Sequence, residues 1–231
     1  MTSLESFKKI IVFAAHPDDE TISCGGTIAK LSEMGADICV VFVTDGKTGI
    51  DHEKKYENNI IQTRKIESEK ACNILGVKKA IYMEYECQDI LYSGTLMREI
   101  LKIIRQEKPD LILTHSQIEK HKDHKVISEA VIQAAWKASE NILPNLGKSH
   151  LTIDLWAFEC VDILESPDFL IDITDVFTKK IKAMKCYLSQ DNIIPGIHSY
   201  IEGLASTRGF QAGTRYAEAF KRISLLPVVL K

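Results

Sequence analysis

The chain has no Cys-x-x-Cys pair, no Gly-x-Gly-x-x-Gly after its first apolar run, and no apolar stretch near the roughly 20 residues that span a bilayer. Each absence counts against a class of protein. Six scattered cysteines in 231 residues (Cys24, Cys39, Cys72, Cys87, Cys160, Cys186) suit reduced, mostly buried thiols better than disulfides or a thiolate zinc site. The missing glycine fingerprint disfavours a dinucleotide-binding enzyme, because Cys24-Gly25-Gly26 cannot supply it. Neither repeats nor low-complexity linkers occur. A net charge of −3 and a pI near 6.2 give no sign of a nucleic-acid partner. The first residues, Met1-Thr2-Ser3-Leu4-Glu5, lack the basic and apolar regions of a signal peptide. The expectation is a soluble cytoplasmic protein with no membrane partner.

What is present is a core. With 45% hydrophobic and 26% charged residues, the chain is expected to form a single domain over residues 1–231. Apolar runs and amphipathic stretches alternate along it. Strands are predicted near residues 10–15, 38–43, 80–83, 110–114, 151–159 and 168–173, and helices near 27–34, 58–75, 95–106, 125–139 and 175–188. In the helix over 58–75, Ile61, Ile66, Ala71 and Leu75 are expected on the buried side. Residues 47–57 read as a polar loop. The β-α-β-α-β-α-β order of the first 115 residues implies an α/β fold: a Rossmann-like, mostly parallel sheet with helices on both faces. The later strands are expected to extend it as a C-terminal elaboration.

The chemistry concentrates at two strand ends. Ala15-His16-Pro17-Asp18-Asp19-Glu20 follows the apolar run Ile10–Ala15, and His121-Lys122-Asp123-His124 follows the fourth strand. If those strands are neighbours where the strand order reverses, both clusters reach one crevice at the sheet's carboxyl edge. A hydrolytic metal takes three N/O ligands and leaves a position for water, and His16, Asp19 and His124 supply that set. Two imidazoles and a carboxylate accept zinc or ferrous iron. Asp18 is then free to act as a base. His121 is placed to stabilise an oxyanion or protonate a leaving amine, with Asp123 fixing its tautomer and raising its basicity. Glu20 fits either support of the site or helix capping. His115 ends a strand at the correct edge, whereas His52, His150 and His198 read as structural or surface histidines.

The two motifs in this order resemble the LmbE/PIG-L family of metal-dependent N-acetylglucosaminyl deacetylases, which includes bacillithiol- and mycothiol-type enzymes. Further points of similarity are Thr44-Asp45-Gly46, Arg64-x-x-Glu67, Ser189-Gln190, Arg208-Gly209 and Tyr216-Ala217-Glu218-Ala219-Phe220; Lys122 departs from the proline common at its position. The resemblance implies zinc on His16, Asp19 and His124, Asp18 as general base, and His121 as acid or oxyanion stabiliser backed by Asp123. It also implies sugar contacts from Ser23, Arg64 and Asp89, and a homo-oligomer. The implied reaction releases acetate and a free amino sugar from an N-acetylglucosamine-containing small molecule. Two alternatives stay open: an amidase for another N-acyl substrate, such as a thiol-sugar conjugate or N-acylated antibiotic, and a non-enzymatic, metal-stabilised sugar-binding protein.

Overall fold

A computed structural model describes residues 3–49 and 59–225. His52 and most of the predicted 47–57 loop therefore lie outside the described residues. The strands are β1 (Lys9–Ala14), β2 (Asp37–Thr44), β3 (Lys79–Tyr85), β4 (Leu111–His115), β5 (Asp154–Phe158), β6 (Phe169–Asp172) and β7 (Ala217–Arg222). The helices are α1 (Asp19–Glu33), α2 (Ile60–Leu75), α3 (Gly94–Glu107), α4 (Lys122–Ser139), α5 (Phe177–Met184) and α6 (Ile197–Ala212).

The strands form one seven-stranded sheet in the order β3-β2-β1-β4-β5-β7-β6. The first five, β3 through β5, run parallel, and β7 pairs antiparallel with both β5 and β6. Buried on both faces, the central strands carry continuous apolar runs instead of alternating ones. Their side chains divide by the two-residue period of a strand. Ile10, Val12, Val40, Phe42, Leu111 and Leu113 join the core beneath α1, α2 and α5. Ile11, Phe13, Val41, Val43 and Ile112 join the core beneath α3 and α4. The α/β architecture with a C-terminal elaboration is thus as expected, and β1 and β4 are neighbours at the reversal of strand order.

Three local features differ from the sequence expectation. On α2, Ala71 and Leu75 are buried as expected, but Ile61 and Ile66 are exposed, and Ile60, Arg64, Glu67, Ser68 and Cys72 complete the buried face. The helix expected over 175–188 ends at Met184, and a short 3-10 turn follows at Leu188–Gln190. Helix α6 and strand β7 have no counterpart in the predicted elements. Strand β7 earns its place through Phe220, fully buried against Trp156 and Phe169.

Candidate active site

The turn after β1 begins the site. Asp18 stands at φ 136°, a conformation that L-residues seldom adopt, and its carbonyl accepts the first helical hydrogen bonds of α1 from Thr21 and Ile22. This turn buries His16, Asp18, Asp19 and Glu20 at the carboxyl edge of the sheet. The β4–α4 loop delivers His121, Asp123 and His124 to the same edge, with His121 as the N-cap of α4.

Three lone pairs converge there. His16 Nδ1 lies 3.1 Å and His124 Nε2 3.3 Å from Asp19 Oδ2. Each imidazole has a carboxylate at its other nitrogen: His16 Nε2 is 3.0 Å from Asp123 Oδ2, and His124 Nδ1 is 3.3 Å from Glu119 Oε2. Those outer carboxylates call for N–H donors, so His16 Nδ1 and His124 Nε2 are left as acceptors aimed at a third acceptor. Such a cluster requires a cation or protons at its centre. In protonated form it shows that demand directly. Burial works against charge on His16 and His124, yet the Asp19 carboxylate raises both, His124 to about 9. Burial likewise opposes ionisation of Asp19, but His124 and His16 hold it well below the usual carboxylate range. The donor atoms of His16, Asp19 and His124 all lie within 4.8 Å of one another. Two imidazoles and a carboxylate, each held by a second partner, fit a divalent cation.

Around this trio the other predicted residues divide. Asp18 lines the cavity and accepts from Arg64 Nη2 at 3.0 Å. Burial outweighs the Arg64 charge, so its carboxyl is pushed up to about 6. Arg64, expected at the sugar, also donates to the carbonyls of Gly46 at 2.9 Å and Pro17 at 2.6 Å, and so braces the turn that carries Asp18. His121 Nδ1 accepts the Asp123 backbone N–H at 3.2 Å, which places the ring proton on Nε2, 3.1 Å from the side-chain amide of Gln88. Contrary to the sequence expectation, the Asp123 carboxylate does not bond the His121 ring; it takes His16 Nε2 and the backbone N–H of Gln88 at 2.9 Å. Nor is His121 made more basic: burial, then His124 and His16, lower its pKa, so it is a neutral Nε2–H donor.

Ser23 and Asp89 are not brought into the cavity lining. Ser23 is buried one turn along α1, beside Lys180 and Glu218, and Asp89 is exposed in the loop after β3. Glu20 is fully buried and accepts from the Asp18 backbone N–H at 3.2 Å and from the Tyr187 hydroxyl at 2.6 Å, a bracing role. His115 is also fully buried. Its Nε2 accepts the Ala15 backbone N–H at 3.0 Å and its ring stacks on His124 at 3.8 Å, while burial lowers its pKa to about 4. His150 bonds the Pro109 carbonyl and His198 faces Asp191, and neither is in the cavity lining.

Sequence reasoning missed Glu119 and Cys160. Glu119 is fully buried; besides orienting His124, it accepts backbone N–H groups of Cys160 at 2.9 Å and Val161 at 3.1 Å. The signal was available: an acidic residue five positions before His124 in the same loop. Cys160 gave none. Its thiol donates to Asp19 Oδ1 at 3.4 Å, across 141 residues of sequence.

A cavity of about 530 Å³ opens over these groups, within the usual size of small-molecule sites. Fold and site together define an α/β protein with a buried His-Asp-His cluster able to hold a cation at the topological switch point of its sheet. Residues 11–135 match the family model "PIG-L: GlcNAc-PI de-N-acetylase", and the chain belongs to that family. It is 30% identical to the diacetylchitobiose deacetylase of Thermococcus kodakarensis, over 93% of this chain and 82% of that protein. The N,N'-diacetylchitobiose deacetylase of Pyrococcus horikoshii superimposes with a TM-score of 0.88 at 27% identity, covering 96% of this chain and 86% of that one. GalB, the 4-carboxy-2-hydroxymuconate hydratase of Pseudomonas putida, superimposes with a TM-score of 0.84 at 23% identity, over 97% and 98% of the two chains. The scaffold therefore does not by itself define the reaction.

Proposed function

We propose that the protein is a metal-dependent N-deacetylase that hydrolyses the acetamide of an N-acetylglucosamine-containing small molecule, giving acetate and a free amino sugar. One observation carries the reading: the acceptors of His16, Asp19 and His124 converge between Asp18 on one motif and His121 on the other. Zinc or ferrous iron held by this trio would polarise the amide carbonyl and acidify a bound water. Asp18 takes the proton of the attacking water, and Arg64 with Glu20 holds Asp18 in place for it. The Nε2–H of His121 donates to the carbonyl oxygen as negative charge develops there, and its neutral state keeps that proton in position. Asp18, once protonated, returns its proton to the departing amine. Asp123 and Glu119 keep the far nitrogens of His16 and His124 protonated and their near nitrogens free.

Among the described residues no helix is long and apolar enough to cross a membrane. Six free cysteines, five of them buried, suit a reducing compartment such as the cytoplasm. The test is metal analysis followed by an acetate-release screen over linked N-acetylglucosamines. Asp18→Asn is expected to keep the metal and lose roughly 10²-fold or more in kcat. Zinc- and iron-loaded protein that releases acetate from no N-acetylglucosamine conjugate would overturn the reading.

A further inference from the structure

Away from the cation site the cavity changes character. The segment between the 3-10 turn and α6 contributes Ile193, Ile194 and Pro195, and α6 itself contributes Ile197. Val161, 40% exposed, and Ile22 extend this apolar surface. Tyr200 adds a ring face, because its hydroxyl is engaged by the Cys160 carbonyl at 2.7 Å. Consecutive isoleucines and a proline offer no side-chain hydrogen bond to a hydroxyl-rich or ionised group, so burying one against them is costly.

The charge inventory agrees. Among the described lining residues Arg64 is the one fixed cation, and both of its terminal nitrogens already bond protein oxygens. Lys122 donates to the Gln88 carbonyl at 2.9 Å and Lys47 pairs with Glu86, neither of them in the lining. A carboxylate or phosphate on the substrate would need an Arg or Lys fork there. An alkyl chain or the C–H face of a neutral ring gains by covering the isoleucines.

We infer that the substrate is an N-acylated amino-sugar conjugate that carries an apolar-faced group seated on Ile193, Ile194 and Pro195. The inference rests on the deacetylase reading above. The apolar group is supplied by the glycosidic substituent or by the N-acyl chain, and separate arms of the test distinguish these. Turnover by the metal-loaded enzyme is compared for methyl and octyl N-acetylglucosaminides, an N-acetylglucosaminide bearing malate, and methyl N-octanoylglucosaminide. The octyl glycoside or the N-octanoyl compound is expected to exceed the methyl parent at least 10-fold in kcat/KM, with the malate conjugate below the parent. Ile194→Asn is expected to reduce that gain to under 3-fold. Calorimetric binding of octyl against methyl glucosaminide, the amino-sugar products, gives the same comparison without turnover. Absent acetate release would end the deacetylase reading yet leave this binding comparison valid. The inference fails if the malate conjugate is the best of the set, or if neither long-chain compound exceeds its methyl parent in turnover and the octyl product binds no tighter.

Discussion

Asp18 combines an uncommon backbone angle with a buried carboxylate, and its neighbours account for both. Arg64 holds the side chain, Glu20 holds its backbone N–H, and the turn between β1 and α1 forces φ to 136°. The proton-accepting role proposed for Asp18 gives a pH dependence with a definite sign. Asp18 accepts a proton only when ionised, and burial raises its carboxyl to about 6. A neighbouring cation lowers that value. Turnover should therefore fall on the acid side with a midpoint at or below about 6. A kcat profile whose acid limb centres above pH 7 would assign the proton step to another group. Glu119 acts one contact further out. Glu119→Gln retains a carbonyl for the Cys160 and Val161 N–H groups but removes the charge facing His124 Nδ1. Metal affinity, measured by chelator competition, is expected to drop about 10- to 100-fold. An unchanged affinity would show that Glu119 only organises the loop after β5.

The elements show where sequence reading reached and where it stopped. Strands β1, β2 and β4 are legible because burial on both faces writes an unbroken apolar run. Helix α2 was legible in length and, at Ala71 and Leu75, in the last turns of its buried face, but not in its first turns, where Ile61 and Ile66 are exposed. Its buried face carries Arg64, Glu67 and Ser68, because that face looks toward the site and toward Ser189, whose hydroxyl donates to Glu67 at 2.6 Å. A rule that seeks apolar residues misplaces the first turns of such a helix. Helix α6 left no readable stripe, and it carries Gly203 and Gly209, which count against a helix. Gly209 is there for a close approach: a Cβ would stand 2.3 Å from the Arg215 carbonyl oxygen, where the chain folds back beyond Gly213. Backbone cannot yield as a flexible side chain can. Gly209→Ala should therefore destabilise the fold by about 1–3 kcal/mol in denaturant titration, despite alanine's better helix propensity. A stabilised variant would mean that the approach relaxes freely.

Across the whole molecule, a buried ion pair ties the C-terminal helix to the catalytic edge. Arg208 of α6 donates to Glu159 through Nε at 2.9 Å and Nη2 at 2.6 Å, both side chains nearly inaccessible. Glu159 immediately precedes Cys160 and Val161, so this link fixes the loop that touches Asp19 and borders the cavity. Arg208→Met leaves an uncompensated buried carboxylate and is expected to cost about 3–5 kcal/mol of stability, read from the shift in urea midpoint. A loss below 1 kcal/mol would show that water reaches Glu159 and the link is dispensable. Family similarity marked Arg208-Gly209 in the sequence; only the fold shows that one residue is an anchor and the other a clearance.

Local sequence by itself determined the parallel α/β scaffold and the donor types that follow β1 and β4. Strand burial and βα loop placement are written in short stretches of chain, and the two motifs meet because their strands are neighbours. Tertiary structure alone decided which carboxylate serves which imidazole. Asp123 passes over His121, two positions away, for His16, 107 residues distant, and Cys160 reaches Asp19 across 141. It also turned Arg64 inward onto Asp18 and set an apolar surface beside the cation site. Residue spacing lists the donors available, but the direction of each lone pair depends on backbone angles and distant partners that spacing does not contain.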